Sequence, residues 1–251
     1  GDGRGVSLPD RFSPRIRRAL AAAGIVFRFV LFFGGLGFAV WFAVVWFPDA
    51  YNPFVPPDIR DEPNIVTGLQ LRGLADDYDI CVSVVRASGT KYRRDSIASD
   101  SEGCGMPQGL TLEQSRISYG GGIQLTCPAT AALLMWERHV VAPAAAEHLG
   151  SGVTRVRHYG TYACRNVNNA QSGRRSGHGR GNAIDISGFD LEDGRGITVR
   201  DDWGGDTPEG RFLAAVHDGA CGLFSTVLGP DYNDLHANHF HFEMARWGIC
   251  R

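Results

Sequence analysis

The chain has 251 residues, of which 43% are hydrophobic and 21% charged, and its formal net charge at pH 7 is −2. This length is enough for one substantial domain with additional segments. The nearly balanced charge gives no bias toward nucleic acid, so we expect no nucleic-acid partner.

The first segments predict a membrane anchor. Residues 1–28 form a basic tail, expected to be helical toward its end, and residues 29–47 are an uncharged run of 19. At about 1.5 Å per residue this run spans roughly 28 Å, close to the hydrocarbon thickness of a bilayer. Pro48 and Asp49 follow it instead of a small-residue cleavage site, so a transmembrane helix is favoured over a signal peptide. A buried core helix is the alternative.

Charge and cysteine usage predict the orientation of this anchor. Six arginines precede the run and Asp49, Asp58, Asp61 and Glu62 follow it, which places the N-terminal side in the cytoplasm. The protein is then a single-pass inner-membrane protein with a periplasmic domain. The cysteines all follow the run and predict three disulfides of unspecified pairing; they are Cys81, Cys104, Cys127, Cys164, Cys221 and Cys250.

Two features of the anchor region concern its surroundings. Gly34, Gly35 and Gly37 permit close packing of membrane helices, so a transmembrane protein is one possible partner. Residues 48–66 contain five prolines and predict a stiff linker that lifts the following domain off the bilayer.

Residues 67–251 predict a single α+β domain, with a small antiparallel sheet and flanking helices. Helix and short strands are expected over 67–127, and Pro143 should kink or split a helix over 128–150 that ends at Gly150. Thr207 and Pro208 predict the cap and first residue of a helix that ends near Ala220. Four further strands are predicted, over residues 153–164, 183–189, 196–201 and 239–245.

The last of these strands carries two histidines on one face. Residues 239–244 alternate, so His239, His241 and Glu243 share a face while Phe240, Phe242 and Met244 face the core. Side-by-side imidazoles suit a metal site, or one metal ligand beside one catalytic base.

A second short segment supplies a histidine and a carboxylate. Glycines at 177, 179 and 181 predict a tight loop carrying His178, followed by a strand in which Ile184 and Ile186 face the core and Asp185 faces away. Asp185 and His241 are then expected on one surface of neighbouring strands, with His178 closing over them. Two histidines and one carboxylate with an open fourth position form a catalytic zinc pattern, and structural or solvated side chains are the alternative.

At these residues the sequence resembles the LAS-type zinc peptidases, named for lysostaphin, D-Ala-D-Ala peptidases and sonic hedgehog. Their first motif is matched by Ser176, His178, Gly181, Ala183 and Asp185, and their His-x-His motif by residues 239–241. The resemblance implies that zinc is bound by His178, Asp185 and His241. It also implies catalytic roles for three further residues, which are His239 as general base, His236 as an additional active-site histidine and Arg165 as a substrate-holding arginine.

Residues from about 65 to 251 also resemble the bacterial extensin-like C-terminal domain family, through segments 160–165, 181–189, 202–203 and 227–236. Glu243 is the reserve base, Asp234 and Glu243 are candidates to orient the imidazoles, and a surface salt bridge is the alternative for Arg165. Resemblance and compartment together imply a zinc peptidase of the D,D type that acts on peptidoglycan stem peptides or cross-links. The alternative is a non-catalytic wall-binding protein, or an accessory subunit of a membrane complex that retains structural zinc.

Overall fold

A computed structural model of the chain describes residues 13–46 and 48–251. The chain divides into two compact units at the boundary between Phe47 and Pro48. Residues 1–12 of the predicted basic tail, and Phe47 at the end of the predicted span, lie outside the described residues.

The first unit contains one long helix, α1 (Pro14–Trp46). Its segment Pro14–Ala43 is long and apolar enough to cross a membrane, by length and composition. The helix begins well before the apolar run, because arginine and alanine are good helix formers and residues 15–23 consist mostly of these types. The apolar run therefore marks the part of α1 that suits a bilayer and does not mark the helix bounds.

The second unit is an α+β domain, which confirms the predicted class. Its strands are β1 (Lys91–Ile97), β2 (Met106–Gln114), β3 (Ile123–Thr126), β4 (Val153–Gly160), β5 (Ala183–Leu191), β6 (Gly196–Thr198), β7 (Thr226–Leu228) and β8 (Phe240–Glu243). Its helices are α2 (Thr67–Gly73), α3 (Tyr78–Ala87), α4 (Cys127–Trp136), α5 (Ala142–Leu149), α6 (Val199–Asp202) and α7 (Pro208–Ala220).

The strands form two antiparallel sheets. One has the order β1-β2-β3, and the other has the order β4-β5-β8-β7 with β6 paired to β5. The centre of the larger sheet is therefore the β5–β8 pair, whose strands are separated by about fifty residues of sequence. The side chains that were predicted to face the core in these strands, Ile184, Ile186, Phe240 and Phe242, are almost fully buried.

The core is built on helix α4, of which every residue is buried. Trp136 at its end packs edge-on against Phe242 of β8 and lies beside Phe189 of β5. The Trp136 indole donates a 2.8 Å hydrogen bond to the carbonyl of Val216 on α7. This contact satisfies the polar atom of the largest core side chain and fixes the five-stranded sheet to two helices.

The helix predicted over 128–150 is interrupted by a π turn. A single π turn, Glu137–Val141, separates α4 from α5, and Pro143 lies in the first turn of α5. Proline cannot donate the hydrogen bond that a continuous helix requires there. Gly150 ends α5 in the left-handed conformation, with φ of 64°, as predicted.

The predicted strand over 196–201 is wrong for its second half. β6 ends at Thr198, and residues 199–202 form α6. The Thr198 hydroxyl accepts a hydrogen bond from the Asp201 N–H, and the Asp202 carboxylate accepts one from the Thr198 N–H. Reciprocal capping of this kind begins a helix and stops the strand.

Two other strands are shorter than predicted. β4 ends at Gly160, where φ is 135°, instead of at Cys164. β8 covers residues 240–243, so His239 lies immediately before the strand.

Residues 48–66 pack on helix α2 and do not form a free spacer. The buried Gln70 side chain of α2 donates hydrogen bonds to the carbonyls of Asp49 and Asn52, at 3.1 and 2.9 Å. Asn64 donates to the Ala50 carbonyl at 2.7 Å. The proline-rich segment is thus held to the domain within three residues of its first proline.

Three disulfides join the six cysteines, as predicted. They are Cys81–Cys127, Cys104–Cys164 and Cys221–Cys250. The first ties α3 to α4, and the second ties the loop before β2 to the loop after β4. These bonds and the first unit's apolar helix fit a domain in an oxidising compartment.

The Thr207 cap of α7 provides a test of the fold. Its hydroxyl accepts a 3.0 Å hydrogen bond from the Gly210 N–H. We expect Thr207→Ala to lower the free energy of unfolding by about 1 kcal/mol, measured by urea denaturation. Thr207→Ser keeps the hydroxyl and is the control. Equal losses in both variants would show that the methyl group, and not the cap, carries the effect.

Candidate metal centre

The β5–β8 pairing determines which side chains meet on the sheet face. Asp185 lies directly opposite His241 in the antiparallel register. Their side chains point away from the core face that Ile184 and Phe242 occupy, because successive residues of a strand alternate. Asp185 and His241 are nevertheless buried, with 7% and 9% of their surface exposed, because the loop that carries His178 covers them.

That loop contains one short 3-10 turn, Gly177–Arg180, and a side chain would be crowded at two of the glycines around it. Gly181 has φ of 69°, and a Cβ there would lie 2.4 Å from Met106 Sδ. A Cβ at Gly177 would lie 2.3 Å from the Glu243 carboxylate carbon. The Ser176 hydroxyl accepts a hydrogen bond from the His178 N–H and starts the turn. These features hold His178 over Asp185 and explain the glycine spacing of the segment.

The predicted ligand atoms converge as expected. His178 Nε2 lies 3.0 Å from Asp185 Oδ1, and His241 Nδ1 lies 2.8 Å from the same oxygen. The two ring nitrogens are 3.2 Å apart. These three residues form one of two groups of possible metal ligands among the described residues. In the other, His217 with Cys221 and Cys250, both cysteines are in a disulfide and offer no thiolate.

The outer nitrogens of both rings fix the tautomers. His178 Nδ1 lies 2.9 Å from the Thr161 carbonyl oxygen, and His241 Nε2 lies 3.2 Å from a Glu243 carboxylate oxygen. Both partners are acceptors, so both outer nitrogens carry the hydrogen. In neutral rings the inner nitrogens then present lone pairs to each other and to Asp185. Three electron donors facing one point require a cation there, which is either a proton or a metal ion.

The separations fit a tetrahedral zinc ion. Ligand bonds of about 2.0–2.1 Å in tetrahedral geometry place two ligand atoms about 3.3 Å apart. The three distances, from 2.8 to 3.2 Å, are within about half an ångström of that value. The donor set of two imidazoles and a carboxylate also matches catalytic zinc chemistry. His178, Asp185 and His241 can therefore hold zinc with little movement.

Without a metal, protons stabilise the cluster. Burial alone would lower the pKa of His241, but its hydrogen bonds to Asp185 and Glu243 outweigh burial and raise that pKa to about 9. Burial would raise the pKa of Asp185, and the His178 and His241 imidazoles instead hold it far below the usual range. Zinc and a proton thus compete for the same atom, His241 Nδ1.

The other two predicted histidines lie beside the cluster. His239 Nε2 is 3.7 Å from Asp185 Oδ1, and the His236 and His239 rings are 5.2 Å apart between centroids. Burial lowers the pKa of His239, and burial together with the neighbouring imidazoles lowers the pKa of His236 to about 4. Near neutral pH both rings are therefore neutral.

Arg165 and Glu243 also reach the site. The Arg165 guanidinium lies 3.4 Å from Asp185 Oδ2, so Arg165 forms an ion pair with a predicted metal ligand. The Arg165 side chain is half-buried in the wall of the cleft. Glu243 accepts a hydrogen bond from His241 Nε2. Burial would raise the pKa of Glu243, but this hydrogen bond outweighs burial and lowers that pKa. Of the two candidates to orient the imidazoles, Glu243 contacts one, and Asn233 rather than Asp234 contacts His236, at 2.8 Å.

Four contributors were not predicted from sequence. Thr161 orients His178 through its backbone carbonyl, which any residue type would supply. Asn233 and Asn238 bond the Nδ1 atoms of His236 and His239, and their positions beside these histidines were an available signal. Tyr159, which has 60% of its surface exposed, packs edge-on against His239. It lies on β4, and the sequence does not indicate which strand pairs with β4.

The cluster forms the floor of an open cleft. The cleft encloses about 610 Å³, and its walls include Arg165, His236, His239 and the exposed Trp247. Asp185 and His241 line it, whereas His178 is 2% exposed behind them. A small peptide segment can therefore approach the cluster from the side of His239.

A family model described as extensin-like protein C-terminus matches residues 79–251. This match covers more than half of the chain and includes every residue of the candidate site. No curated protein and no solved structure matches the chain.

Metal content tests the cluster directly. We expect the full-length chain, purified in detergent, to bind about one zinc ion, and His178→Ala to lose it. His148→Ala, which removes a histidine far along the sequence from the cluster, is the matched control. Elemental analysis after gel filtration gives the ratio. Zinc retained by His178→Ala, or absent from a folded wild type, would contradict the assignment.

The stability of the metal-free protein should depend on pH. The folded-state pKa of His241 lies above its ordinary value of 6.5, so protonation stabilises the fold below 6.5, and this contribution is lost as pH rises to about 9. We expect the melting temperature of the chelated protein to fall across that window. Zinc should raise it most at the upper end, since metal replaces the lost proton. A melting temperature of the chelated protein that is constant across this window would contradict the proton-metal exchange.

Proposed function

We propose that this chain, which belongs to the extensin-like protein C-terminus family, is a zinc-dependent peptidase related to the LAS-type enzymes. Every side chain of its His-Asp-His cluster lies inside the segment that the family model matches. Its substrate is peptidoglycan, cut at amide bonds of stem peptides or cross-links. The observation that carries the proposal is the meeting of two imidazole lone pairs and one carboxylate oxygen within 3.2 Å, at the floor of an open cleft.

The chemistry is divided between the metal and the chain. His178, Asp185 and His241 would hold zinc, which would provide a Lewis acid and lower the pKa of a bound water molecule to about 7. His239 Nδ1 donates to the Asn238 amide oxygen at 2.8 Å, which leaves the Nε2 lone pair free on the side of Asp185. The His239 imidazole, whose pKa is lowered, can take a proton at Nε2 during attack on the amide.

His239 is favoured over Glu243 as the base. Glu243 Oε2 already accepts a hydrogen bond from His241 Nε2, so its role is to fix the tautomer of a ligand. Arg165, beside Asp185 Oδ2 and facing the cleft, can hold an anionic group of the substrate or polarise its carbonyl. His236 keeps an uncharged imidazole next to His239 and so limits repulsion when His239 takes up a proton.

The apolar helix of the first unit and the three disulfides support a membrane-anchored, periplasmic location as part of this proposal. α1 contains one segment that suits a bilayer, and the residues before the apolar run are rich in arginine. The positive-inside rule then directs the N-terminal side to the cytoplasm and the disulfide-bonded domain to the periplasm, where peptidoglycan lies.

Hydrolysis of isolated sacculi tests the proposal. We expect the zinc-loaded, full-length chain to release soluble peptide-containing fragments, and Asp185→Ala to release none because it loses a ligand. His239→Ala should keep zinc and lose about 10²–10⁴-fold in rate, since only proton transfer is removed. His148→Ala is the control for an unrelated histidine.

One outcome would contradict the proposed activity, and another would contradict the assignment of His239 as the base. Intact sacculi after treatment with the zinc-loaded wild type would favour the accessory-subunit alternative, in which zinc is structural. Full activity in His239→Ala would transfer the role of base to another residue.

A further inference from the structure

A second hollow lies beside the metal cleft. It encloses about 1260 Å³, twice the volume of the cleft, and runs between α2 and the end of β8. The two hollows share a wall that includes Arg174, Ser176, Glu243 and Trp247. A ligand that lies in the metal cleft can therefore continue into this second hollow, which we call the arginine groove.

Positive charge dominates the arginine groove. Its lining contains two carboxylates, Asp76 and Glu243, of which Glu243 is bonded to His241. Against these stand five arginines, which are Arg72, Arg174, Arg175, Arg180 and Arg246. A concave surface lined by one sign of charge concentrates the field and attracts ligands of the opposite sign.

None of these arginines makes an ion pair with a carboxylate of the described residues, and two of them are held by other contacts. Arg175 donates to the Glu102 carbonyl and the Asn166 side chain, and Arg180 donates to the Gly103 carbonyl. Among residues 13–46 and 48–251, no carboxylate lies at ion-pair distance from Arg72, Arg174 or Arg246. Their guanidinium groups remain available for external oxyanions, which the planar fork binds in bidentate fashion.

An exposed aromatic side chain stands where the two hollows meet. Trp247 lines both of them and has 84% of its surface exposed. A large indole held open at a junction of two binding hollows offers a flat apolar face to a ligand that passes between them.

From these observations we propose that the arginine groove binds a carboxylate-bearing strand of the same polymer whose amide bond lies in the metal cleft. The enzyme then acts within a cross-linked polymer, with substrate on both sides of the bond, and does not merely trim a chain end. This inference rests on the proposed function, since it identifies the class of substrate. An anionic membrane surface is the less suitable ligand, because the arginines line a hollow whereas a bilayer requires a protruding face.

Binding without hydrolysis tests the groove separately from catalysis. The full-length chain in non-ionic detergent carries His178→Ala, so sacculi are not consumed, and co-sedimentation gives the dissociation constant. Adding Arg72→Gln, Arg174→Gln and Arg246→Gln should weaken binding about tenfold, a change carried by three separate charge contacts. Replacing the same three residues with lysine keeps the charge and should restore most of the affinity.

Matched controls separate the groove from net charge and from folding. Arg86→Gln, Arg116→Gln and Arg200→Gln remove the same charge from residues that line neither hollow, and should leave the dissociation constant within about twofold. Thermal unfolding of each variant verifies that it is folded. Amidation of the free carboxylates of the sacculi should weaken binding of the parent chain as strongly as the groove substitutions do.

Several results would contradict the proposed binding role of the arginine groove. These are unchanged binding in the triple glutamine variant, equal losses in the control variant, and insensitivity to amidation. Competition identifies the ligand, because polyglutamate should displace sacculi; displacement by dioctanoyl phosphatidylglycerol alone would assign the groove to lipid. A wild-type chain that binds through these arginines and does not hydrolyse sacculi would refute the proposed function and leave the groove intact, and the reverse result would refute only the groove.

Discussion

The antiparallel pairing of β5 with β8 is the constraint on which the site depends. It places Asp185 opposite His241, and at the same time it places Ile184 opposite Phe242. A slip of one residue would turn the apolar side chains to the cleft and the ligands into the core. Burial of Phe240 and Phe242 against the sheet and Trp136 therefore fixes the register, and the chemistry of the cleft takes its geometry from the packing of the core.

The remaining ligand comes from a loop, which lacks that protection, and several contacts compensate. The Gly105 N–H donates to the Gly179 carbonyl, and the Cys104–Cys164 disulfide holds the two loops that flank His178. The Thr161 carbonyl then sets the ring orientation. Each contact restricts a different degree of freedom of the loop, so a flexible glycine-rich segment can present one nitrogen at a defined position.

Much of the site could be predicted from sequence because its signals are local. Alternation over residues 239–244 identified the core face, and glycine spacing identified the loop of His178. The pairing of the two segments was also expected, because the polar side chains predicted on their non-core faces complete one candidate ligand set. The capping threonine before α7 and the proline that interrupts the helix over 128–150 are equally local features, and the structure has both.

What could not be predicted depends on contacts distant in sequence or on backbone atoms. Disulfide pairing needs the fold, and a carbonyl such as that of Thr161 leaves no side-chain signature. The helix at residues 199–202 was missed because the apolar and β-branched residues at 197–199 favour a strand. The capping contacts of Thr198 that start the helix are made by Asp201 and Asp202, which lie beyond that strand pattern. The prolines of residues 48–66 likewise predicted a linker, and the sequence did not indicate that Gln70 hydrogen-bonds to this segment.

The four histidines of the cleft divide into two classes by the partners of their rings. His178 and His241 have their outer nitrogens on acceptors and their inner nitrogens on the Asp185 carboxylate, so cation binding is concentrated between them. His236 and His239 bond asparagine oxygens through Nδ1 and lie farther from that carboxylate, so burial dominates and keeps them neutral. A single carboxylate thus separates two histidines that can share a cation from two that stay neutral, because its influence declines steeply with distance. The same sheet face can then carry a cation and an uncharged base side by side.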